Sequence, residues 1–510
     1  MSNTNKQECI LGLDLGTSGV KGLLIDRRGK LLESSRESYS LIKSQSGSWV
    51  EQDPMEWWKA ARKVISDLKL KGRRLEGVGV TGQVNGLVMV GENGQPLGNA
   101  LIWMDRRSNQ AARSLDKEFG QLIRSYSNAS PTALFALSKL KWLADNRPSL
   151  LEEASKLLFP KDFLIYKLTG KFTTDVTDAA AGLMLNLEDR NWASEILSEM
   201  VSPEQLPPLH ESTDIVGRTK SEFESSGLRG GIPVTAGAGD LATAALGSGV
   251  VTPGSSCITL GTAGDVSAYL SDLPSGLDPR IWILCHAIPG RYLWHGMVKT
   301  AGYAVTWYLD TFGGGDGARA PEKHGDPYDL LLEGVDEVGE GSEGLLFLSH
   351  LEGVANPYHN SLARGVFLGI TSDHDKDHFT RAVLEGVAFS YREIFEIMAG
   401  MGGEEISAIS VTAGGSKSSL WNRIISDVLG KNIKVISPHD SSAVGAAIIA
   451  GVGVGHWEGF EEACSRILTV QDLVEYDSAS HQRYSEIFKI NRRAYRSLEG
   501  LFSDLSEFAA

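Results

Sequence analysis

Cysteine is scarce in this sequence. Only Cys9, Cys257, Cys285 and Cys464 occur in 510 residues, and no two sit at a spacing typical of a disulfide framework or a zinc site. No apolar run approaches the ~20 residues that a membrane-spanning helix needs. The opening "MSNTNKQECI" is polar and lacks the apolar core of a secretory leader. Together these absences predict a reduced, cytoplasmic setting with no membrane partner. Positive charge is also short: 49 Lys and Arg stand against 64 Asp and Glu, a net charge of −15. That balance excludes nucleic acid as the main partner but leaves an anionic small molecule open, because a site concentrates charge locally. The length itself exceeds what one hydrophobic core organises, so two or more domains are expected.

An internal repeat is present. "LDLGTSGVKGLLID" (Leu13–Asp26) recurs in weakened form as "ITLGTAGDVSAYLS" (Ile258–Ser271). Each reads as a strand, a Leu-Gly-Thr-x-Gly turn and a second strand. A second echo links "LEGVGVTGQ" (Leu75–Gln83) to "ISAISVTAGGS" (Ile406–Ser416), in the same order. The chain therefore reads as two copies of one α/β domain, residues 8–250 and 251–495, joined near Gly249–Ser256. In the first copy a third strand follows a polar turn at Asp26–Lys30. A helix begins at Pro54 with Asp53 as its cap. A helical middle runs from about Ser108 to Leu206, broken near "FPKDFLIYKLTGKFTTDVTD".

The first hairpin, Asp14-Leu-Gly16-Thr17-Ser18-Gly19-Val-Lys21, is not a Walker A loop, because a strand and not a helix follows the glycines. One reading is a tight turn with Asp14 as an ordinary strand-end residue. The other is a phosphate clamp. Small residues let backbone N–H groups approach phosphate, Thr17 and Ser18 add hydroxyls, and Asp14 holds a hydrated Mg²⁺. The recurrence at Gly261-Thr262-Ala263-Gly264 favours the clamp. "VTAGGSKSSLWNRIISDVLG" reads, taken alone, as a strand-to-helix turn capped by Ser416, in which Gly414 and Gly415 allow a flat ligand to approach. "VTAGAGDLATAALGSGVV" (Val234–Val251) carries one charge, Asp240, among Gly, Ala and small apolar residues. Asp240 is either a helix cap or a ligand-facing carboxylate.

These stretches, with "SWVEQDPMEWW", "WMDRRS" and Phe159–Gly182, resemble the FGGY family of carbohydrate kinases over about Cys9 to Arg493. The resemblance also rests on Gly365, Phe367, Gly369, Ile370, His378, Phe379, Ala382, Val383, Leu384 and Glu385, and on Lys139 and Trp142. Ala136 stands where a small polar residue or Pro is usual. It implies duplicated actin-like ATPase domains of the ribonuclease H-like α/β class with a cleft between them, and transfer of the γ-phosphate of ATP with Mg²⁺. It also implies Asp240 as general base, Asp14 as the metal-side carboxylate, and a homodimer. It places ATP at Gly16, Thr17, Ser18, Lys21, Gly261, Thr262, Gly414, Gly415, Ser416 and Asn422. It places the sugar at Gln83, Val84, Asn85, Trp103, Asp105 and Asp240, with Trp103 as a wall and Asp105 accepting two hydroxyl hydrogen bonds. Small residues around Asp240 are expected to keep room for sugar and phosphate.

The sugar-side text is most similar to kinases of the xylulokinase type. That implies a ketopentose, D-xylulose first, with D-ribulose, L-xylulose, glycerol and gluconate as alternatives. Three departures bear on the sugar: Asn85 replaces a His, Leu241 follows Asp240 where Asn or Gln is common, and "SHLEGVANPYHNSLARG" differs from the Gly-Glu-Arg-Thr-Pro text of many such enzymes. A non-catalytic ATP-switched protein of the same fold would leave Asp240 without a purpose. "SDHDKDHF" reads as a solvated turn, Gly451, Gly453 and Gly455 as a helix end, and the tail from Asn491 as an amphipathic helix.

Overall fold

The computed structural model describes residues 6–508 except 46, 275, 277, 313–326 and 439. In chain order, the elements that position the site begin with strands β1 (Glu8–Gly16), β2 (Gly19–Asp26) and β3 (Leu31–Ser38), helix α1 (Pro54–Asp67) and strand β4 (Arg74–Gly82). Helices α2 (Pro160–Thr169) and α3 (Val176–Ala181) follow, then β5 (Ile215–Arg218), β6 (Pro233–Thr235), β7 (Ala238–Gly239) and α4 (Asp240–Gly247). The later elements are β8 (Ser255–Leu260), β9 (Gly264–Leu270), α5 (Lys376–Gly400), β10 (Ala408–Thr412), α6 (Ser419–Leu429), β11 (Ile433–Ser437) and α7 (Ser441–Gly453). The chain divides into two compact units. One comprises residues 1–252, 269–293 and 440–469; the other comprises 253–268, 294–439 and 470–510. Among the described residues no helix is long and apolar enough to cross a membrane.

The first unit is built on a sheet ordered β5-β6-β4-β1-β2-β3, with β7 also paired to β4. β1 and β2 form the expected antiparallel hairpin, closed by the Gly16–Gly19 pair, and β4 lies parallel to β1. Side chains alternate along β1. Leu11, Leu13 and Leu15 enter the core with Val78, Val80, Trp57 and Val64, while Gly12 and Asp14 face the other way. On that second face α7 lies directly on backbone. A Cβ on Gly12 would strike the carbonyl oxygen of Ala443, and one on Gly79 would strike that of Ala446. α7 approaches α4 as closely, since Gly445 faces the carbonyl of Thr243 and Gly247 that of Ser441. The small residues after Asp240 thus serve helix packing; they were expected to leave room for ligands, and the close approach of two helices gives a different reason for them.

The second unit repeats the arrangement in its strands. β8 and β9 form an antiparallel hairpin, and β10 runs parallel to β8, as β4 does to β1. β11 continues the sheet in parallel beyond β10. α1 starts as expected, with Asp53 Oδ1 accepting from the Met55 N–H at 2.8 Å. The helical middle differs from expectation in that short strands at Lys156–Leu158, Thr174–Asp175, Leu185–Asn186 and Asn191–Trp192 interrupt it. The Phe159–Asp178 stretch, expected as a break, contains α2, started by Pro160 and ended by Gly170 at φ 76.

Valine at Gly79 places a branched side chain into the α7 backbone, so Gly79→Val is expected to cost about 2–3 kcal/mol or more, as overpacking does. Alanine at exposed Gly98, where nothing lies within 4 Å of an added Cβ, should stay within about 0.5 kcal/mol. Denaturant unfolding of the two variants checks the contrast.

Candidate active site

Three parallel strands of the first unit end side by side. Leu15 of β1 pairs with Gly82 of β4, and Gly82 pairs with Gly239 of β7. The residues that follow are therefore gathered at one sheet edge: the Gly16-Thr17-Ser18 tip, Gln83-Val84-Asn85, and Asp240. Carboxyl ends of adjacent parallel strands are where open α/β sheets hold ligands, because backbone groups and helix starts converge there. A hydrogen-bond net ties the first two groups together. The Trp103 indole N–H donates to Thr17 Oγ1 at 2.8 Å, and Thr17 Oγ1 donates to Gln83 Oε1 at 3.4 Å. The Gln52 amide donates to the Thr17 carbonyl at 2.7 Å. Its own Oε1 accepts from Gln83 Nε2 at 2.8 Å and from the Trp57 indole at 3.1 Å. Thr17, expected to offer its hydroxyl to phosphate, spends it on Trp103 and Gln83, because an indole N–H at that depth needs an acceptor.

Charge at the hairpin follows from register. Asp14 lies opposite Lys21, and Lys21 opposite Arg36, so one carboxylate and two cations form a row across β1, β2 and β3. Lys21 pairs with Asp440 just before α7, and Arg36 donates to Ser18 Oγ at 2.8 Å. Burial pushes the Asp14 carboxyl up to about 7, with Lys21 pulling the other way. Its Oδ1 is buried and has no hydrogen-bond partner among the described residues. A lone hard oxygen donor beside the Gly16–Gly19 turn fits Mg²⁺, which takes one or two protein carboxylates and fills the rest of its shell with other oxygen ligands.

Asp240 is the first residue of α4, with Gly239 in the cap position, so its side chain does not serve as the cap. Asn85 adopts a left-handed φ of 65, and its Oδ1 is buried without a partner among the described residues. Val84 packs against the site of a Gly239 Cβ. The left-handed turn thus leaves the Asn85 acceptor unused by the described residues, which buried acceptors seldom are.

In the second unit the corresponding turns end β8 and β10, whose Thr259 and Thr412 are paired. The Gly261-Thr262 tip is braced by backbone. Gly302 N–H donates to the Gly261 carbonyl at 2.9 Å and Tyr303 N–H to that of Thr262 at 3.0 Å. After β10, Ala413 takes a left-handed φ of 71, and Gly414–Lys417 forms one 3-10 turn. An added Cβ on Gly414 would meet nothing within 4 Å, whereas one on Gly415 would lie 2.8 Å from the Trp421 ring. Gly414 thus leaves backbone open, and Gly415 is required by packing. Ser416 was expected as the cap of α6. The structure gives that role to Ser418, whose Oγ accepts from Trp421 N–H at 3.1 Å. Ser416 turns inward to the Ala413 carbonyl, and Asn422 Nδ2 donates to the Ser416 carbonyl at 2.7 Å.

The FGGY carbohydrate kinase N-terminal domain matches residues 9–247, and the FGGY C-terminal domain matches 258–454. The chain belongs to the FGGY family of carbohydrate kinases. It is 30% identical over 505 residues to a xylulose kinase of Staphylococcus epidermidis, covering 98% of this chain and 99% of that one. It is 31% identical over 468 residues to a glycerol kinase of Thermococcus onnurineus, covering 89% and 90%. The crystal structure of a xylulose kinase from Brucella ovis superposes with a TM-score of 0.88 at 29% identity, covering 97% of this chain and 100% of that one. The actin-like ATPase fold that the family resemblance implied is thus the fold observed.

One sugar-side expectation for this carbohydrate kinase meets a different geometry. Asp105 is fully buried. Its oxygens accept from Arg107 Nε at 3.0 and 3.1 Å, from Arg107 Nη2 at 2.9 Å and from the Val50 N–H at 2.7 Å. Its acceptor capacity is taken up, so it holds Arg107 and not substrate hydroxyls. The guanidinium lies 4.0 Å from the Trp49 ring and also bonds Glu51 at 2.6 Å. Trp142, a residue of the family resemblance, covers the same guanidinium at 5.1 Å. Gln52, Arg36 and Arg107 escaped the sequence reading of the site, although Gln52 and Arg107 lie inside its most family-like stretches. Replacing Arg107 with Leu strands a buried carboxylate. Arg107→Leu should lose about 3–5 kcal/mol of stability, and adding Asp105→Asn should restore part of it, as read by denaturant unfolding.

Proposed function

We propose that this carbohydrate kinase moves the γ-phosphate of MgATP to a hydroxyl of a ketopentose, D-xylulose first, with Asp240 as general base. The observation that carries the reading is the row of carboxyl strand ends, which sets Asp240 in line with Gln83 and with the Gly16-Thr17 tip. A sugar hydroxyl is a poor nucleophile, and phosphoryl transfer is mostly positioning and charge stabilisation. The Asp240 carboxylate orients the hydroxyl and takes its proton. The new O–P bond forms as the bond from γ-phosphorus to the β,γ-bridging oxygen breaks, and ADP leaves with that oxygen. Asp14 would hold Mg²⁺, which when bound offsets phosphate charge. Lys21 and Arg36 add positive charge on the same face. Gly16 and Ser18 in the first unit, and Gly261, Thr262 and Gly414 in the second, are assigned to ATP through their backbone. Ser416 and Asn422 shape the last of these turns from behind.

For the sugar, Gln83, Val84, Asn85 and Trp103 remain as the pocket. Trp103 is fixed as a wall by its bond to Thr17, and Asn85 brings an unmet buried acceptor. Xylulose kinase relatives span almost the whole chain, which supports a pentulose. A site with polar groups awaiting hydroxyls rejects a shorter polyol that leaves them unpaired. Glycerol is the second reading, favoured by the glycerol kinase relative. An ATP-coupled assay over D-xylulose, D-ribulose, L-xylulose, glycerol and gluconate should give the highest kcat/KM for a pentulose; a higher value for glycerol or gluconate would refute that substrate class.

Asp240→Asn should fold and bind ATP yet lose about 10²-fold or more in kcat. Near wild-type turnover by the folded variant would remove the base assignment. Gly261→Val should weaken ATP binding, because its side chain projects where backbone is to meet phosphate. Calorimetry should then find sugar binding without nucleotide unchanged, and an unaltered ATP affinity would take Gly261 out of the phosphate site.

A further inference from the structure

Thr177 lies outside every group assigned so far, yet it touches the strand that leads into Asp240. Its side-chain Oγ1 accepts from the Gly239 N–H at 2.8 Å, and the residue is 2% exposed. β7 is thereby held on both edges, by β4 on one side and by Thr177 on the other. The bracket has no slack. A Cβ on Gly239 would overlap Val84 and lie 3.2 Å from Asp178 Oδ1.

Thr177 is itself fixed by buried charge. Asp175 caps α3, and its Oδ2 accepts from the Thr177 N–H at 2.7 Å. Asp175 Oδ1 lies 2.8 Å from Lys161 Nζ, which also meets Asp162 at 2.5 Å and Asp178 at 3.2 Å. All four side chains are buried. Burial alone would lower the Lys161 ammonium, but the three carboxylates hold it well above its usual range. Burial pushes Asp178 well above the carboxylate range. Lys161 in turn sits against the end of β4, where a Cβ on Gly82 would lie 3.2 Å from its Cβ. A continuous path therefore runs from Lys161 through Asp175 and Thr177 to Gly239, the residue before Asp240. A folding role alone would need a buried charge to be paired; it would not need the pairing to end on the one backbone N–H that precedes the base.

We propose that Thr177 is a positioning residue for the Asp240 carboxylate, with the Lys161 cluster as its anchor. The proposal rests on the reading of Asp240 as general base. Val at position 177 keeps the shape and removes the acceptor, which strands the Gly239 N–H and releases β7. Misplacing a catalytic group by about 1 Å is enough to cost up to 10²-fold in rate.

The test is steady-state kinetics with MgATP and the best pentulose of the substrate panel, on variants whose folding is verified by circular dichroism. Thr177→Val should lower kcat by about 10-fold or more while KM for ATP and for the sugar stays within about 2-fold. Thr177→Ser, which keeps the hydroxyl, should stay near the wild-type kcat. Thr177→Val added to Asp240→Asn should lower the residual rate no further, since groups that act as a unit are not additive. If Thr177→Val does not fold, Thr177→Ala makes the same comparisons. A Thr177→Val kcat within 2-fold of wild type, an equal loss in Thr177→Ser, or a full further loss in the Asp240→Asn background would each overturn the proposal. Asp240→Asn with wild-type turnover would sink the base reading and this proposal with it. An inactive Asp240→Asn beside an unimpaired Thr177→Val would sink only the positioning role.

Discussion

The close approach of α7 to the backbone of β1 and β4 is the constraint on which the first unit depends. A helix normally packs on a sheet through side chains. Here carbonyl oxygens of Ala443 and Ala446 face the bare Cα atoms of Gly12 and Gly79. That contact brings the backbone of α7 onto β1 at Gly12, with Asp14 two residues further along the same face. It also delivers Asp440, at the start of the same helix, to Lys21. α4 joins the stack by the same device, through Gly247 and Gly445. The direction in which α4 leaves β7, and hence where Asp240 stands, follows from a packing contact made only of backbone and small side chains.

Buried polar groups divide into two kinds. Some are paired by the protein: Arg107 closes around Asp105, and Lys161 sits as one ammonium among Asp162, Asp175 and Asp178. Asp105 is buried with its counter-charge, which is the condition for keeping ionised groups out of water, whereas the Lys161 cluster holds more carboxylates than cations, and Asp175 Oδ1 and both Asp178 oxygens have no hydrogen bond among the described residues. Others are left open: Asp14 Oδ1 and Asn85 Oδ1 in the first unit, and Asn422 Oδ1 in the second, have no partner among the described residues. Asp14 and Asn85 lie near the carboxyl end of the sheet. Native interiors seldom leave such atoms unmet, and those beside a strand end stand where open α/β sheets receive ligands. The division also sorts carboxylates that look alike in the sequence. Asp105 and Asp14 both follow an apolar run, yet one is spent and the other available.

Local structure was legible in the residues because it depends on near neighbours. The repeat of Leu-Gly-Thr-x-Gly specified two hairpins, and alternation along Ile10–Leu15 specified which face is core. The isolation of Asp240 among small residues marked a carboxylate that needed a reason. Partnership across the chain was not legible. That Asp105 would be taken up by Arg107, that Thr17 would meet Trp103, and that Ser418 and not Ser416 would cap α6 depend on where distant segments land. The same holds for Gln52, which joins three groups through one amide, and for Thr177, which is 62 residues from the N–H it accepts. By itself the sequence determined the elements, the duplication and the residue types able to do phosphoryl chemistry. Only the tertiary structure decided which of those side chains are satisfied by the protein and which are not, because a hydrogen bond is set by the position of its partner and the chain's pattern does not contain that position.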